Sequence, residues 1–503
     1  MDLGDFPILT VLILIPVATV LAIAVLPATD RRAIRVAALG GTVITFVASL
    51  LLLVGFEVGE AGFQFGETRT WIPDYGVTYR LGLDGVSLFL VLLTTLFMPL
   101  AVLAAWEQED RAKGFFAALI GLEAALIGVF VALDLLLFYV FFEIMLVPMY
   151  GLIGIWGSEQ RRYAAIKFFM FTLVGGLFML VGILYLYFAA GAESFDYTFV
   201  LENAALTGSA QLLLFGAFFI AFAIKVPLFP VHTWLPDAHT EAPTVGSVIL
   251  AAVMLKIGGY GFLRYSLPYF PQATQDLAPA VLTLAVIGVL YGALVAAMQR
   301  DVKRLVAYSS VSHLGFVVLG TFAIETTAAA GSVVQMINHG LSTGALFLLV
   351  GFMYERTHSR AISAHSGLLK AAPVFGGLFL FVTMSSIALP GLNGFVGEFP
   401  ILLGSFRTVP WAAGLAVFGV IFAALYLLWA YQRMFHGPVE GRANTMTDLV
   451  PRELLVIAPL IVLMLVIGLY PKPLYDRVNP SVEQIVSGVQ DATVADIDEQ
   501  DQS

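Results

Sequence analysis

Fourteen long apolar runs dominate the chain, at approximately 7–27, 34–55, 81–106, 115–133, 135–156, 163–190, 209–230, 244–265, 278–298, 303–324, 328–354, 369–405, 411–433 and 454–472. Charged or Pro/Gly-rich breaks separate them. A helix rises 1.5 Å per residue, so about 20 apolar residues cross a hydrocarbon core of roughly 30 Å. Every run is long enough, and 369–405 is long enough to be bent or broken. Only 12% of the 503 residues are charged, where soluble chains carry about 25%. The expected fold is an all-α polytopic membrane protein of about 14 transmembrane helices. Residues 1–503 then form a single membrane domain whose first partner is the lipid bilayer.

Lys and Arg set the expected orientation, because they concentrate in cytoplasmic loops. With the N-terminus outside, the inner loops hold about 17 of the 25 Lys and Arg, from Arg31 and Arg32 to Arg442 and Arg452. Both termini are then expected on the outer face. Met1 to Asp5 are acidic where a secretory leader is basic, so the first apolar run is expected to be retained. The stretch 490–503 is polar and acidic, and reads as a disordered tail. A net charge of −10 argues against nucleic acid as a partner. The chain has no cysteine, which removes disulfides, thiolate metal ligation and thiol nucleophiles.

Two spans carry helix breakers. Lys225-Val226-Pro227-Leu228-Phe229-Pro230 sits in the seventh, and Leu389-Pro390-Gly391-Leu392-Asn393-Gly394 in the twelfth. Carbonyls freed this way are tolerated at membrane depth only inside protein or beside a wet cavity. The breaks lie about 170 residues, and five spans, apart. Interrupted helices at corresponding places point to two inverted repeats with a site near the midplane. The repeats are expected at about 115–265 and 278–433.

Charges inside the spans carry the chemistry. An ionised side chain at a span centre costs about 2.5–3.5 kcal/mol on insertion scales. Glu143, Lys225, Lys256 and Glu398 all incur that cost, and four such charges are too many to retain for packing alone. They are expected to face one another in the bundle interior, with His313 and His339 between them. Burial penalises the charged form of a group and a nearby opposite charge restores it. A lysine with a movable carboxylate partner therefore has a switchable proton affinity. Glu143 and Lys225 form the expected switch and Lys256 the next station. His313 and His339 are relays suited by a pKa near neutrality, and Glu398 is the exit. Glu123, deeper in the fourth span, is a candidate for widening the entry path. Asp84 and Asp134 sit at span ends, where a structural role is expected. His232, His239, Asp237 and Glu241 flank Pro236 and Pro243, and read as a solvated turn rather than metal ligands. No phosphate loop or nucleotide motif is present, and one His pair alone does not make a haem site.

The segments 141–150 (FFEIMLVPMY), 225–239 (KVPLFPVHTWLPDAH) and 308–315 (YSSVSHLG) closely resemble the antiporter-like membrane subunits of respiratory complex I. The resemblance covers essentially the whole chain and lies nearest the M, or chain 4, branch. It implies fourteen helices in two inverted five-helix repeats. It also implies proton translocation driven by quinone chemistry elsewhere in the complex. By the same resemblance Glu143, Lys225, Lys256 and Glu398 match the family's proton-handling positions on helices five, seven, eight and twelve. At Glu398 the L and N subunits and related sodium/proton antiporter subunits usually have lysine. No cofactor is expected in this chain; quinone, flavin and iron–sulfur centres would belong to partner subunits, with L-like and N-like neighbours alongside. The expected location is a prokaryotic inner or plasma membrane. The competing readings are a subunit of a multi-component sodium/proton antiporter and a non-pumping structural subunit of the membrane arm.

Overall fold

The computed structural model describes residues 6–501, with side chains as far as Ala492. Met1 to Asp5, Gln502 and Ser503 lie outside the described residues. Among the described residues thirteen helices are long and apolar enough to cross a membrane, from Ile8–Val25 to Pro451–Leu469. The shorter Pro373–Ser386 and its continuation Asn393–Thr408 complete the twelfth span, which gives the expected fourteen. The first apolar run is the helix Ile8–Val25.

Alternating spans define two faces, and polar contacts tie together the loops of each. On one face Arg31 pairs with Glu109, Arg452 with Glu107, and Arg356 with Glu453. On the other Arg407 pairs with Glu325, and Arg80 with Asp196. Spans four to eight and nine to thirteen form two five-span units that begin on opposite faces. Each is broken in its fourth member.

The breaks follow from local chemistry. The seventh span stops at Lys225, turns through Pro227 and Pro230, and resumes at Trp234–Glu241. The indole of Trp234 donates to the Ile224 carbonyl at 3.0 Å, satisfying an acceptor that the turn leaves free. In the twelfth span Ala388 and Gly391 take left-handed φ of 57° and 92° around Pro390. The fifth span also breaks, into Leu135–Ile144 and Leu146–Trp156, a feature missing from the expected pattern. Pro148 has no N–H for the Ile144 carbonyl four residues back, so the helix loosens beside Glu143. The eighth span contains two π-helical stretches, Leu250–Met254 and Phe262–Ser266, on either side of Lys256.

Two features on the second of these faces depart from the expected pattern. The residues between the second and third spans form a hairpin, β1 (Gln64–Ile72) paired antiparallel with β2 (Val77–Leu83). Its Glu67 accepts from the Leu9 amide at 2.7 Å, at the positive end of the first helix. The C-terminal helix runs on into the stretch 490–503, which was expected to be a disordered tail. The chain is helical from Lys472 to Asp501, and only its last two residues lie outside the described part. Val478, Val482, Ile485, Val486 and Val489 form a buried stripe at helical spacing. Once that stripe is docked, extending the helix by a few more residues costs little.

A buried ion pair ties this helix, the hairpin and the eighth span together. Asp84 caps the third span and meets Arg264 at 2.5 Å, with the two side chains 2% and 3% exposed. Next to Asp84, the Gly85 amide donates to Ser481 on the C-terminal helix at 3.1 Å. Asp84→Ala leaves a buried guanidinium uncompensated, which is expected to cost about 3–5 kcal/mol. Adding Arg264→Met should recover much of that loss, read as the thermal aggregation midpoint of the purified assembly.

Candidate proton-transfer site

Glu143 is the penultimate residue of the half-helix Leu135–Ile144. Its Oε1 lies against the backbone of Gly176, where an added Cβ would stand only 1.8 Å away. The carboxylate thus occupies the place that a side chain at 176 would take, and any larger residue there must move it. That oxygen is buried and accepts no hydrogen bond. Lys225 is the last residue of Gly208–Lys225, and its buried Nζ also has no hydrogen-bond partner. Its ammonium instead lies 4.7 Å from the centre of the Phe142 ring and 5.9 Å from that of Phe168, a cation–π setting.

Glu143 and Lys225 are thus brought together without direct contact. Each is the charge that acts on the other, yet no ion pair joins them. The reason is geometric. Phe142 precedes Glu143 on the same helix, about 100° away around its axis. The ring takes the ammonium while the carboxylate turns to Gly176. The two members of the expected switch pair therefore face one another without a direct hydrogen bond.

The next four groups form a line. Lys256 is fully buried and donates to Ala251 O, a carbonyl in the first π-helical stretch of its own span. The same Nζ lies 2.7 Å from His339 Nδ1 on the eleventh span. The His339 and His313 rings stand 6.0 Å apart. A cavity of ≈ 10 Å³ is lined by both imidazoles with Gln335, Asn338 and Ser342, about the space one water needs. His313 Nδ1 then meets Glu398 Oε1 at 2.7 Å, and Gln335 Nε2 donates to the same oxygen at 2.8 Å. Four helices that are remote in sequence thereby place Lys256, His339, His313 and Glu398 in succession. The seventh and eighth spans touch at Gly258 and Val226, which brings Lys225 and Lys256 into neighbouring turns.

Glu123 does not join this line. It is fully buried in the fourth span, both carboxylate oxygens lack partners, and no charged group acts on it. The solvated turn expected around His232 and His239 is corrected. The two are 2% and 0% exposed, and His239 stacks on Phe347 at 4.6 Å between ring centres. The polar run 232–241 is the second half of a broken span, so the break carries it into the bundle instead of into water. Sequence reasoning missed His239 and Lys303 as interior groups. Lys303 is buried and donates to Ala242 O at 2.6 Å, and both Lys303 and Lys256 act on His239. Among the described residues no cluster of three His, Asp or Glu could hold a metal ion.

Residues 132–423 match the family model described as NADH:quinone oxidoreductase/Mrp antiporter, transmembrane. The chain is 47% identical over 495 residues to NADH-quinone oxidoreductase subunit M of Rhodobacter capsulatus, covering 95% of this chain and 96% of that one. It is 42% identical to NADH-ubiquinone oxidoreductase chain 4 of Marchantia polymorpha, over 94% and 96% of the two chains. A chain of respiratory complex I from Thermus thermophilus superposes with a TM-score of 0.88 at 33% identity, covering 96% of this chain and 99% of that chain.

Proposed function

The chain belongs to the NADH:quinone oxidoreductase/Mrp antiporter transmembrane family, on the subunit M/chain 4 branch. From that premise we propose that it is the proton-translocating membrane-arm subunit of a complex I-type quinone oxidoreductase. The observation that carries this is the line Lys256–His339–His313–Glu398. Its two end contacts are at 2.7 Å and a water-sized cavity lies at its middle. Proton transfer needs donor and acceptor within about 2.6–3.2 Å, or one water apart. Glu143 and Lys225 stand at the other end as a charge pair out of contact, free to close or open. Lys303 and His239 lead from the Lys/Arg-rich face to Lys256 and supply an entry. In this reading Glu398 is the exit and Glu123 is an accessory group off the main line.

Quinone reduction elsewhere in the assembly drives the cycle, and flavin and iron–sulfur centres sit in partner subunits. A chain without cysteine offers no thiolate for such clusters. L-like and N-like subunits are its proposed neighbours. Both termini are placed on the outer face of a prokaryotic inner membrane, following the asymmetry of Lys and Arg. The family also contains Mrp antiporter subunits, which gives the sodium/proton exchange reading its standing. Glu398 and the fifth-helix segment 141–150 favour the complex I reading, because by the resemblance the related antiporter subunits usually have lysine at the position of Glu398.

Glu398→Gln tests this directly. It keeps shape and hydrogen bonding and removes the titratable group, so pumping should fall strongly in an assembled complex. Glu398→Lys restores a titratable group and should do less harm. Equal damage from the two, with normal assembly on a native gel, would remove the exit role. Sodium exchange at enzymatic rates by the isolated chain in liposomes would replace the proposal with the antiporter.

A further inference from the structure

We propose that a groove between the second, third, eleventh and fourteenth spans is a binding site for one acyl chain of an anionic phospholipid. The groove has a volume of ≈ 370 Å³ and is lined almost entirely by apolar side chains, among them Phe46, Leu92, Leu341 and Val466. The second and fourteenth spans, which line it with Phe46 and Val466, are the least buried of the candidate spans, which puts the groove on a face open to lipid. Its depth is that of one leaflet. Leu96 at its inner part lies eleven residues from the outer end of the third helix at Gly85. At 1.5 Å per residue that is ~16 Å, about half of a ~30 Å hydrocarbon core.

The outer mouth carries the charge that selects the headgroup. Arg477 is the charged residue that lines the groove. Its Nη1 donates to Pro473 O at 2.9 Å, while its buried Nε has no partner. The adjacent Lys472 and Asp476 neutralise each other in an ion pair. Pro473 and Leu474, in the first turn of the C-terminal helix, also line the mouth and add the positive end of a helix dipole. A guanidinium at the mouth of a leaflet-deep apolar slot, with no carboxylate paired to it among the described residues, matches a phosphate ester bearing a fatty chain.

The floor of the groove gives the site a consequence. Ile337 and Leu341 line it from the eleventh helix, two residues on either side of His339. Leu93 crosses Gly340 so closely that an added Cβ there would meet it at 2.7 Å. A bound chain therefore backs the helix that holds His339 and keeps water from its far side. That sealing role rests on the proposed proton path, whereas the lipid site does not.

The test is photolabelling of the whole complex in its membrane. The probes are phosphatidylglycerol and phosphatidylcholine, each with a diazirine in one acyl chain, followed by peptide mapping. Phosphatidylglycerol should label peptides covering 89–96 and 463–474 more strongly than phosphatidylcholine does. Val466→Trp, a half-exposed position that can fill the groove without disturbing the core, should lose most of that labelling with assembly unchanged. Arg477→Gln should abolish the preference for phosphatidylglycerol. Absent labelling, labelling untouched by Val466→Trp, equal labelling by the two lipids, or cross-linking of these peptides to a neighbouring subunit would each overturn the site.

Discussion

Glu143→Ala and Lys225→Ala are each expected to remove most coupled turnover, on the order of tenfold or more, which needs a barrier increase of only about 1.4 kcal/mol. The double variant should be no worse than the worse single one, because two groups acting as one unit give non-additive losses. Glu143→Asp should keep substantial activity, since it preserves the charge and shortens the reach by one methylene. Gly176→Ala supplies an independent check. It removes no charge, yet its Cβ would stand 1.8 Å from the present position of Glu143 Oε1 and must displace the carboxylate. It should reproduce part of the Glu143→Ala loss. Quinone reduction by native-gel-verified complexes is the measurement. Additive losses would mean that the two groups do not share a step, and a silent Gly176→Ala that the present position of the carboxylate does not matter.

Lys256 gives the second large effect. Lys256→Met deletes the contact with His339 Nδ1 and cuts the line between its first and second members. Turnover is again expected to drop on the order of tenfold or more. Lys256→Arg separates charge from proton transfer. Arginine keeps a buried cation and a donor, but it cannot release a proton near neutral pH. It should be about as damaging as methionine. Substantial activity in Lys256→Arg would show that the position needs only a positive charge, and the relay role would fail.

These expectations rest on features that the sequence displayed to different degrees. The fourteen spans were legible because lipid forbids unsatisfied backbone, and so imposes long apolar runs. Breaks seven and twelve were legible because proline and glycine mark them. Glu143, Lys225, Lys256 and Glu398 stood out because a charge in a run of Leu, Phe and Val has no cheap explanation. The order of the groups was not legible. Only packing puts His339 beside Lys256 and His313 beside Glu398, and nothing in sequence spacing sets a distance across helices. His239 was lost among Asp237, Thr240 and Glu241, whose polarity resembles that of a loop. The clue was that a span broken at Lys225 must still finish crossing the membrane. The hairpin carried a signal of its own, since Thr68 to Ile72 and Val77 to Tyr79 flank the turn residues Pro73, Asp74 and Gly76. Dividing the chain first by apolar runs hid it. The stripe from Val478 to Val489 that docks the C-terminal helix lies between the last apolar run and the acidic stretch, too amphipathic to read as a span.

In the proposed function these buried groups form one proton path tied to quinone reduction. Its most direct test is to record quinone reduction and proton uptake together, in vesicles carrying an assembled Glu143→Ala complex. If the path is tied to the redox cycle, a blocked proton step holds back electron transfer, and both rates fall together. An assembled Glu143→Ala complex with full quinone reduction and a normal ratio of protons to electrons would contradict the account and leave Glu143 as a packing residue.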